Sequence, residues 1–368
     1  MRGRIRGALL VAALLGTVAC ALDRDDPIAG LLQRTLPDGP GGTVVAARGD
    51  QIVHCGGFGM ADREAGIPAT CDTVYDVMSI SKQFTAAAVL KLEAMGRLRV
   101  SDPISAHVGP VPVDKRGITV HHLLTHTAGL VEGLGDDYDE LSRDAMLAGA
   151  LGSTPLSAPG AEFHYSNVGY SVLAAIVEKV SGVGYERFLA THLFGPAGMT
   201  STGYVLPRWE RDRIAVEYDA QGVDRGRPNE RPWDVDGPFW NLRGNGGILS
   251  TARDMFRWHR ALTGDTVLPA SARTALFTPH VAEPGSVESY AYGWGIVETD
   301  HGRIAQHDGG NDWAFANYAR SVDRFPDDAV MSFWVSNSAY REPGWNLETL
   351  EPGLTTDLLE LASQQVTR

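Results

Sequence analysis

Long hydrophobic runs, basic charge and internal repeats are all scarce in this sequence. The one early apolar run, from Ala8 to Val18, is too short to span a bilayer, and no later stretch approaches spanning length. The formal net charge of −13 repels phosphate backbones and anionic lipid head groups, so we expect no nucleic-acid partner. We find no repeat of fixed period, which argues against a solenoid or a propeller.

The composition is that of a soluble globular protein whose chain begins with an export signal. Of the 368 residues, 43% are hydrophobic and 21% are charged, which allows a substantial core. Arg2, Arg4 and Arg6 precede the apolar run and polar chain follows it, as in a signal peptide at 1–21. Cleavage after Ala21 and lipidation of Cys20 both remain open, which leaves a periplasmic, secreted or lipid-anchored protein.

Only three cysteines are present, and none stands beside residues that would activate a nucleophile. In an exported protein, Cys55 and Cys71 are chemically able to form a disulfide. Two buried thiols that behave as small hydrophobic residues are the alternative. The sequence alone leaves both open, because it does not give the separation of the two Cα atoms.

Strand patterns lie near both ends of the chain and helical patterns lie between them. We expect strands at 43–47, 51–54, 73–78, 290–297, 314–319 and 329–335. We expect helices at 80–98, 120–125, 139–150, 167–180, 252–262 and 355–364. This order predicts an α/β domain made of residues 22–100 and 241–368, with a helical insertion at 101–240.

The segment from Ser79 to Lys82 is the strongest chemical signal. It follows a predicted strand, opens a predicted helix, and is a Ser-x-x-Lys pattern that occurs once in the chain. Helical residues three positions apart share a face, so the lysine amine can reach the serine hydroxyl. A serine needs such a base to act as a nucleophile, and burial would keep part of the lysine neutral.

Two further segments carry side chains suited to the same chemistry. Tyr165 and Asn167 form the one Tyr-x-Asn pattern; a phenol can exchange protons and an amide can hold a substrate carbonyl. His307 is followed by Asp308, Gly309 and Gly310, and glycine backbone N–H groups could stabilise an oxyanion. Taken alone, the first segment is more typical of a buried tyrosine followed by an asparagine N-cap, and the second is more typical of a turn.

These segments together resemble the class C β-lactamase-like serine hydrolases, a family that includes penicillin-binding proteins, DD-peptidases and esterases. The similar segments follow the family's order and lie at 77–85, 118–130, 159–170, 194–199 and 246–254. The resemblance extends from about residue 35 to the C-terminus. It implies a β-lactamase/transpeptidase-like fold, an antiparallel sheet flanked by helices.

The resemblance also implies roles for individual residues. Ser79 would be acylated, Lys82 and Tyr165 would share the proton transfers, and which of the two is the acylation base stays open. Asn167 and His307 would contact the substrate with Gly309, and the N–H groups of Ser79 and Gly310 would form the oxyanion hole. His307 stands where β-lactamases often carry lysine, which puts efficient β-lactam hydrolysis in doubt.

The expected activity is hydrolysis of an ester or amide, in a D-amino-acid peptide, a small ester or a β-lactam, without a metal or organic cofactor. A sensor or binding protein of the same fold that is acylated without turnover is the alternative. His122 and His126 have a spacing that zinc could use, but the glutamate of a zinc-hydrolase helix is absent. Gly244 to Gly247 lack the Gly-Lys-Ser/Thr of a phosphate loop.

Overall fold

Strands from both ends of the chain pair in one large antiparallel sheet. The computed structural model describes residues 26–300, 302–324 and 326–365; the predicted signal peptide and Cys20 lie outside them. The strands are β1 Gly42–Arg48, β2 Gln51–Phe58, β3 Met60–Asp62, β4 Ile67–Pro68, β5 Tyr75–Asp76, β6 Trp233–Asp234, β7 Gly237–Pro238, β8 Leu249–Ser250, β9 Val281–Ala282, β10 Ser289–Tyr290, β11 Gly295–Thr299, β12 Gly302–Gly310, β13 Phe315–Ser321, β14 Val330–Ser336, β15 Tyr340–Arg341 and β16 Trp345–Asn346. Within the described ranges, the main sheet has eight strands in the order β2-β1-β14-β13-β12-β11-β10-β9.

Helices cover both faces of this sheet. They are α1 Pro27–Thr35, α2 Ser81–Ala94, α3 Ser105–Val108, α4 Val120–Leu124, α5 Arg143–Gly152, α6 Asn167–Ser181, α7 Tyr185–Leu189, α8 Gly195–Ala197, α9 Ala252–Thr263, α10 Ala270–Leu276 and α11 Glu351–Gln364. None of those in the described part of the chain is long and apolar enough to cross a membrane. The predicted mixed α/β architecture, a sheet flanked by helices, is confirmed.

The sheet is buried on both sides, which explains why β1 is apolar at almost every position. Successive residues of a strand point to opposite faces. Val44 and Ala46 pack with α1 and α11, whereas Val45 and Ala47 join the larger core that contains α2 and α9. The nucleophile candidate lies on the side of this larger core, at the start of α2.

Most predicted elements are present with shifted ends, but three predictions were wrong in extent. The strand expected at 73–78 is reduced to the two residues of β5, because the chain turns immediately before Ser79. The helix expected at 80–98 ends at Ala94. The strand expected at 290–297 is interrupted, because β10 ends at Tyr290 and β11 begins at Gly295. The pattern also gave no sign of α1 or of β12.

The region 101–240 contains helices α3 to α8 and only the short strands β6 and β7 among its described elements. Its proposed limits as a separate insertion stay a prediction. Near the first strands, the sulfur atoms of Cys55 and Cys71 are joined in a disulfide, with the Cα atoms 5.8 Å apart. The question that the sequence left open is therefore answered for the folded chain.

Candidate active site

Ser79 lies on a tight turn between β5 and α2. The turn Met78–Ile80 is a single 3₁₀ turn, and Met78 has a φ of +48°, which side chains rarely adopt. The buried carboxyl of Asp76 accepts a hydrogen bond from the Met78 N–H at 2.6 Å. Burial, and the neighbouring Glu217 charge after it, raise the pKa of Asp76 to about 8. This contact fixes the backbone that carries the serine.

Lys82 is directed at the serine from the first turn of α2. Its Nζ donates to Ser79 Oγ at 3.0 Å and to the carbonyl oxygen of Asn245 at 2.9 Å. The side chain is fully buried, and this burial lowers the pKa of Lys82 to about 7, although the Asp137 charge opposes the shift. A substantial fraction of the amine is therefore neutral at physiological pH and able to take a proton.

Tyr165 approaches the same serine from the opposite side of the cleft. Its hydroxyl shares a hydrogen bond with Ser79, and its ring centre lies 4.8 Å from Lys82 Nζ. Burial raises the pKa of Tyr165 above its usual value, so the phenol keeps its proton at neutral pH. The ring of His126 packs against Tyr165 at 4.4 Å between centroids, and His126 Nδ1 accepts from the Ser166 N–H at 2.9 Å.

Strand β12 passes close to the serine turn. A Cβ atom at Gly309 would lie 2.9 Å from the Ser79 nitrogen and 2.8 Å from the Val77 oxygen, so only glycine fits there. Gly310, Ser79 and Asn167 line one pocket of about 50 Å³. The Asn167 Oδ1 atom is buried in this part of the fold without a hydrogen-bond partner. The cap of α6 is Ser166 rather than Asn167, so the asparagine side chain is left for the pocket.

His307 is buried at the end of the cleft and is neutral. Burial lowers its pKa and the Lys82 charge adds to this effect, while Asp308 opposes it. Its Nδ1 lies 2.5 Å from the Asp308 carbonyl oxygen, and its Nε2 lies 3.0 Å from the Tyr290 hydroxyl. The histidine therefore contributes a neutral ring to the site.

A second pocket of about 230 Å³ adjoins Tyr165 and His307 and is strongly acidic. Its carboxylates are Glu283, Glu288, Asp308 and Glu351, and His307 is the one basic side chain among the described residues that line it. Burial raises the pKa of Glu283 to about 7, with a further contribution from the Glu288 charge. Above pH 7 this pocket repels a substrate carboxylate.

The predicted residues Ser79, Lys82, Tyr165, Asn167, His307, Gly309 and Gly310 thus converge on one cleft. Their roles stay predictions. Sequence reasoning missed Asp76, His126 and Asn245, which support or contact them. His126 belongs to the segment that resembles the family, and Asn245 to the glycine-rich segment considered as a phosphate loop. Nothing in the sequence marked Asp76.

His122 and His126, whose spacing zinc could use, make other contacts in the fold. His122 Nδ1 accepts from the Thr119 N–H at 3.3 Å, and His126 supports the Tyr165 segment as described. Within the described ranges, no group of three or more His, Cys, Asp or Glu side chains is arranged to hold a metal ion.

Comparison with known proteins identifies the family. The Beta-lactamase family model matches residues 32–349. Penicillin-binding protein 4* of Bacillus subtilis is 30% identical over 315 residues, 80% of this chain and 68% of that protein. The putative penicillin-binding protein PbpX of Bacillus subtilis is 33% identical over 280 residues, 75% of this chain and 66% of that protein.

A solved structure agrees with these relatives. The octameric penicillin-binding protein homologue from Pyrococcus abyssi superposes with a TM-score of 0.76 at 23% identity, over 91% of this chain and 76% of that one. The expected penicillin-binding protein and β-lactamase fold is therefore confirmed. The chain belongs to the Beta-lactamase family, the group that its sequence segments resemble.

Proposed function

We propose that this protein is an exported serine hydrolase that cleaves an ester or amide through an acyl-Ser79 intermediate. The observation that carries this proposal is the 3.0 Å contact between Lys82 Nζ and Ser79 Oγ, made by a fully buried lysine whose pKa is lowered to about 7. A neutral amine at this distance is the base that a serine alcohol requires. Family membership supports the same reaction class.

The geometry supports an assignment of the proton transfers. Neutral Lys82 takes the hydroxyl proton as Ser79 Oγ bonds to the substrate carbonyl carbon, and the carbonyl electrons move to its oxygen. The N–H groups of Ser79 and Gly310 stabilise that oxyanion. The lysine then returns the proton to the leaving group as the carbon–heteroatom bond breaks. Water attacks the acyl group in the same way and releases Ser79.

Tyr165 has a different part in this scheme. Its raised pKa makes the phenol a hydrogen-bond donor at neutral pH rather than a base. We place it as a relay between Lys82 and the leaving group, with Asn167 holding the substrate carbonyl group from the facing side of the cleft. This ordering makes Lys82, rather than Tyr165, the acylation base.

The charge of the cleft narrows the candidate substrates. D-amino-acid peptides, small esters and β-lactams all fit the reaction class. D-amino-acid peptides with a free carboxylate, and β-lactams, would present a negative charge to Glu283, Glu288 and Glu351. We therefore favour neutral or cationic esters and amides over substrates with a carboxylate near the scissile bond.

Export is a separate part of the proposal and rests on two observations. The basic residues and apolar run at the start of the chain are typical of a signal peptide. The Cys55–Cys71 disulfide is of the kind that persists in oxidising compartments. A lipid anchor at Cys20 remains one form that export could take.

The proposal is tested by fluorophosphonate labelling and by hydrolysis of p-nitrophenyl esters, D-alanyl peptides and nitrocefin. We expect labelling and turnover in the wild type and in Ser271→Ala, an exposed serine of α10, and neither in Ser79→Ala. Intact-mass detection of an adduct without turnover would indicate the acylated sensor instead. No adduct and no turnover in folded wild-type protein would overturn the proposal.

A further inference from the structure

Arg320 is a buried cation that forms no ion pair with any carboxylate of the described residues. It lies on β13, on the face that packs against α9 and α10, and only 3% of its surface is exposed. Its Nε and Nη1 atoms are buried and make no hydrogen bond within the described part of the chain. The guanidinium lies 5.1 Å from the ring centre of Phe277. A buried guanidinium that remains charged normally requires a carboxylate or another anion beside it.

Two other polar side chains close to Arg320 are also unsatisfied. The Tyr318 hydroxyl and both ring nitrogens of His259 are buried and lack hydrogen-bond partners among the described residues. Both residues interact electrostatically with the Arg320 charge. Unsatisfied buried polar groups are rare in folded proteins. Of these three residues, Arg320 is the one that lines the adjoining pocket, so its guanidinium is the group that a bound molecule could satisfy.

The pocket beside Arg320 is positively charged. It has a volume of about 300 Å³ and is lined by Arg273, Arg303, Arg320 and Arg324, with Asp323 as its acidic residue. Arg303 holds both oxygens of Asp323 at 2.8 and 2.6 Å, so that carboxylate is already neutralised. Arg273 Nη1 forms an ion pair with Asp265 and also donates to the Gly264 and Leu268 carbonyls, so its charge is compensated as well. Arg324 has no hydrogen-bond or ion-pair partner among the described residues.

This pocket is separate from the catalytic cleft. Neither pocket of the cleft shares a lining residue with it. On the sheet, Tyr318 of β13 pairs with His307 of β12. Arg320 lies two residues beyond Tyr318 on β13 and pairs with Ala305. That step is about 7 Å. A ligand here would not compete with the substrate for space.

We propose that this pocket is a second binding site, which takes a small oxyanion, a carboxylate or a phosphate group, between Arg320 and Arg324. Arginine presents several N–H donors in a plane and binds such groups with paired charge-assisted hydrogen bonds. The apolar side chains of Leu262, Phe277 and Val322 leave space for an uncharged part of the ligand. The site goes beyond the proposed hydrolysis at Ser79 and does not depend on it.

Isothermal titration calorimetry tests the site with inorganic phosphate and with acetate, each at constant ionic strength set by chloride. We expect saturable binding of at least one of the two by the wild type, and the anion that binds identifies the group recognised. Arg320→Met should abolish binding, because methionine has no charge, while the linear methionine side chain still fills the buried space. Arg324→Gln, at the rim of the pocket, should weaken binding about tenfold or more. Arg116→Gln, an exposed arginine outside the pocket, is the matched control and should bind as the wild type does.

A cooperative thermal unfolding transition, followed by circular dichroism, reports whether each variant is folded, and it depends on neither the anion nor the proposed chemistry of Ser79. If Arg320→Met fails to fold, the wild type and Arg324→Gln still decide the question. Absence of saturable binding to the wild type would overturn the proposal. Equal binding by a folded Arg320→Met variant would show that the anion binds elsewhere and would overturn it too.

Discussion

Replacement of Lys82 by arginine tests the assignment of the acylation base. Burial lowers the pKa of Lys82 from 10.5 to about 7. At pH 7 about half of such amines are neutral, compared with roughly 1 in 3,000 for an unperturbed lysine. Burial therefore increases the neutral, active fraction of the amine by about 1,500-fold. Arginine keeps the positive charge but stays protonated at any accessible pH, so it cannot take the serine proton.

We expect Lys82→Arg to reduce kcat/KM for p-nitrophenyl acetate by about 1,000-fold, within the usual range for loss of a general base. In the wild type, kcat/KM should rise with pH through about 7 and then level off, because the deprotonated lysine is the active form. This rise of kcat/KM with pH, the pH limb, should be absent from Lys82→Arg. Lys91→Arg, the same substitution later on α2, is the matched control; Lys91 donates to the Val267 carbonyl, outside the cleft.

The assay is initial-rate hydrolysis between about pH 5.5 and 9, with the mass of the acyl adduct followed in parallel. If arginine does not fit the buried site, Lys82→Met removes the base without adding bulk, and the same loss is expected. Retention of more than about a tenth of the wild-type rate, or an unchanged pH limb, would refute Lys82 as the base and favour Tyr165.

Three further outcomes follow from the same contacts. The pKa of Asp76 is raised from 3.8 to about 8, so the folded protein binds this proton more tightly than the unfolded chain does. The free energy of unfolding should therefore fall by up to a few kcal/mol between about pH 4 and 8. Thermal unfolding of Asp76→Asn should show a smaller fall over the same pH range. Glu283→Gln should raise kcat/KM for an anionic ester relative to a neutral one a few-fold, more above pH 7 where Glu283 is ionised, and a ratio that does not change would contradict the charge argument. Replacing Cys55 and Cys71 by alanine should lower the free energy of unfolding by about 3 kcal/mol in denaturant titrations, and equal stability of the variant and the oxidised wild type would contradict this.

The sequence was sufficient for the serine and the lysine because their relation is local. Three positions along a helix fix which side chains can meet, so Ser79 and Lys82 could be paired without any tertiary information. Tyr165 and His307 are 86 and 228 positions from Ser79 in the printed sequence. No local spacing brings such residues together, and only the family resemblance predicted that they share a site.

Strand β12 was missed for a reason connected with its position. Its residues Arg303, Gln306, His307 and Asp308 are polar, and its last two are glycines, so the alternation expected of a half-buried strand is lacking. One edge of this strand faces the acidic pocket, and its end lies against the Ser79 turn. The residues of β12 therefore suit the cleft that they line rather than the alternation of polar and apolar residues typical of a strand.

The sequence did not predict a role for Asp76, because its raised pKa depends on burial rather than on residue type. An aspartate three residues before a serine is an ordinary turn residue in a sequence. In the fold its carboxyl is enclosed, carries a raised pKa, and holds the N–H of Met78 in a backbone conformation with positive φ. The acidic pocket has the same origin, since Glu283 and Glu351 become neighbours only when α11 packs across the sheet.

The hydrogen bonds of His307 bear on substrate choice. A carbonyl oxygen can only accept, so the 2.5 Å contact with the Asp308 carbonyl places the ring proton on Nδ1. In the neutral ring, Nε2 is then an acceptor and Tyr290 donates to it. Protonation of Nε2 would put a second donor opposite the phenol and add a positive charge beside Lys82, and both effects agree with the lowered pKa of His307. The position where β-lactamases often carry a lysine charge is therefore uncharged here, while the adjoining pocket carries carboxylates. Because no described residue that lines this pocket carries a positive charge at neutral pH, we expect esters and amides without a carboxylate to be hydrolysed in preference to β-lactams.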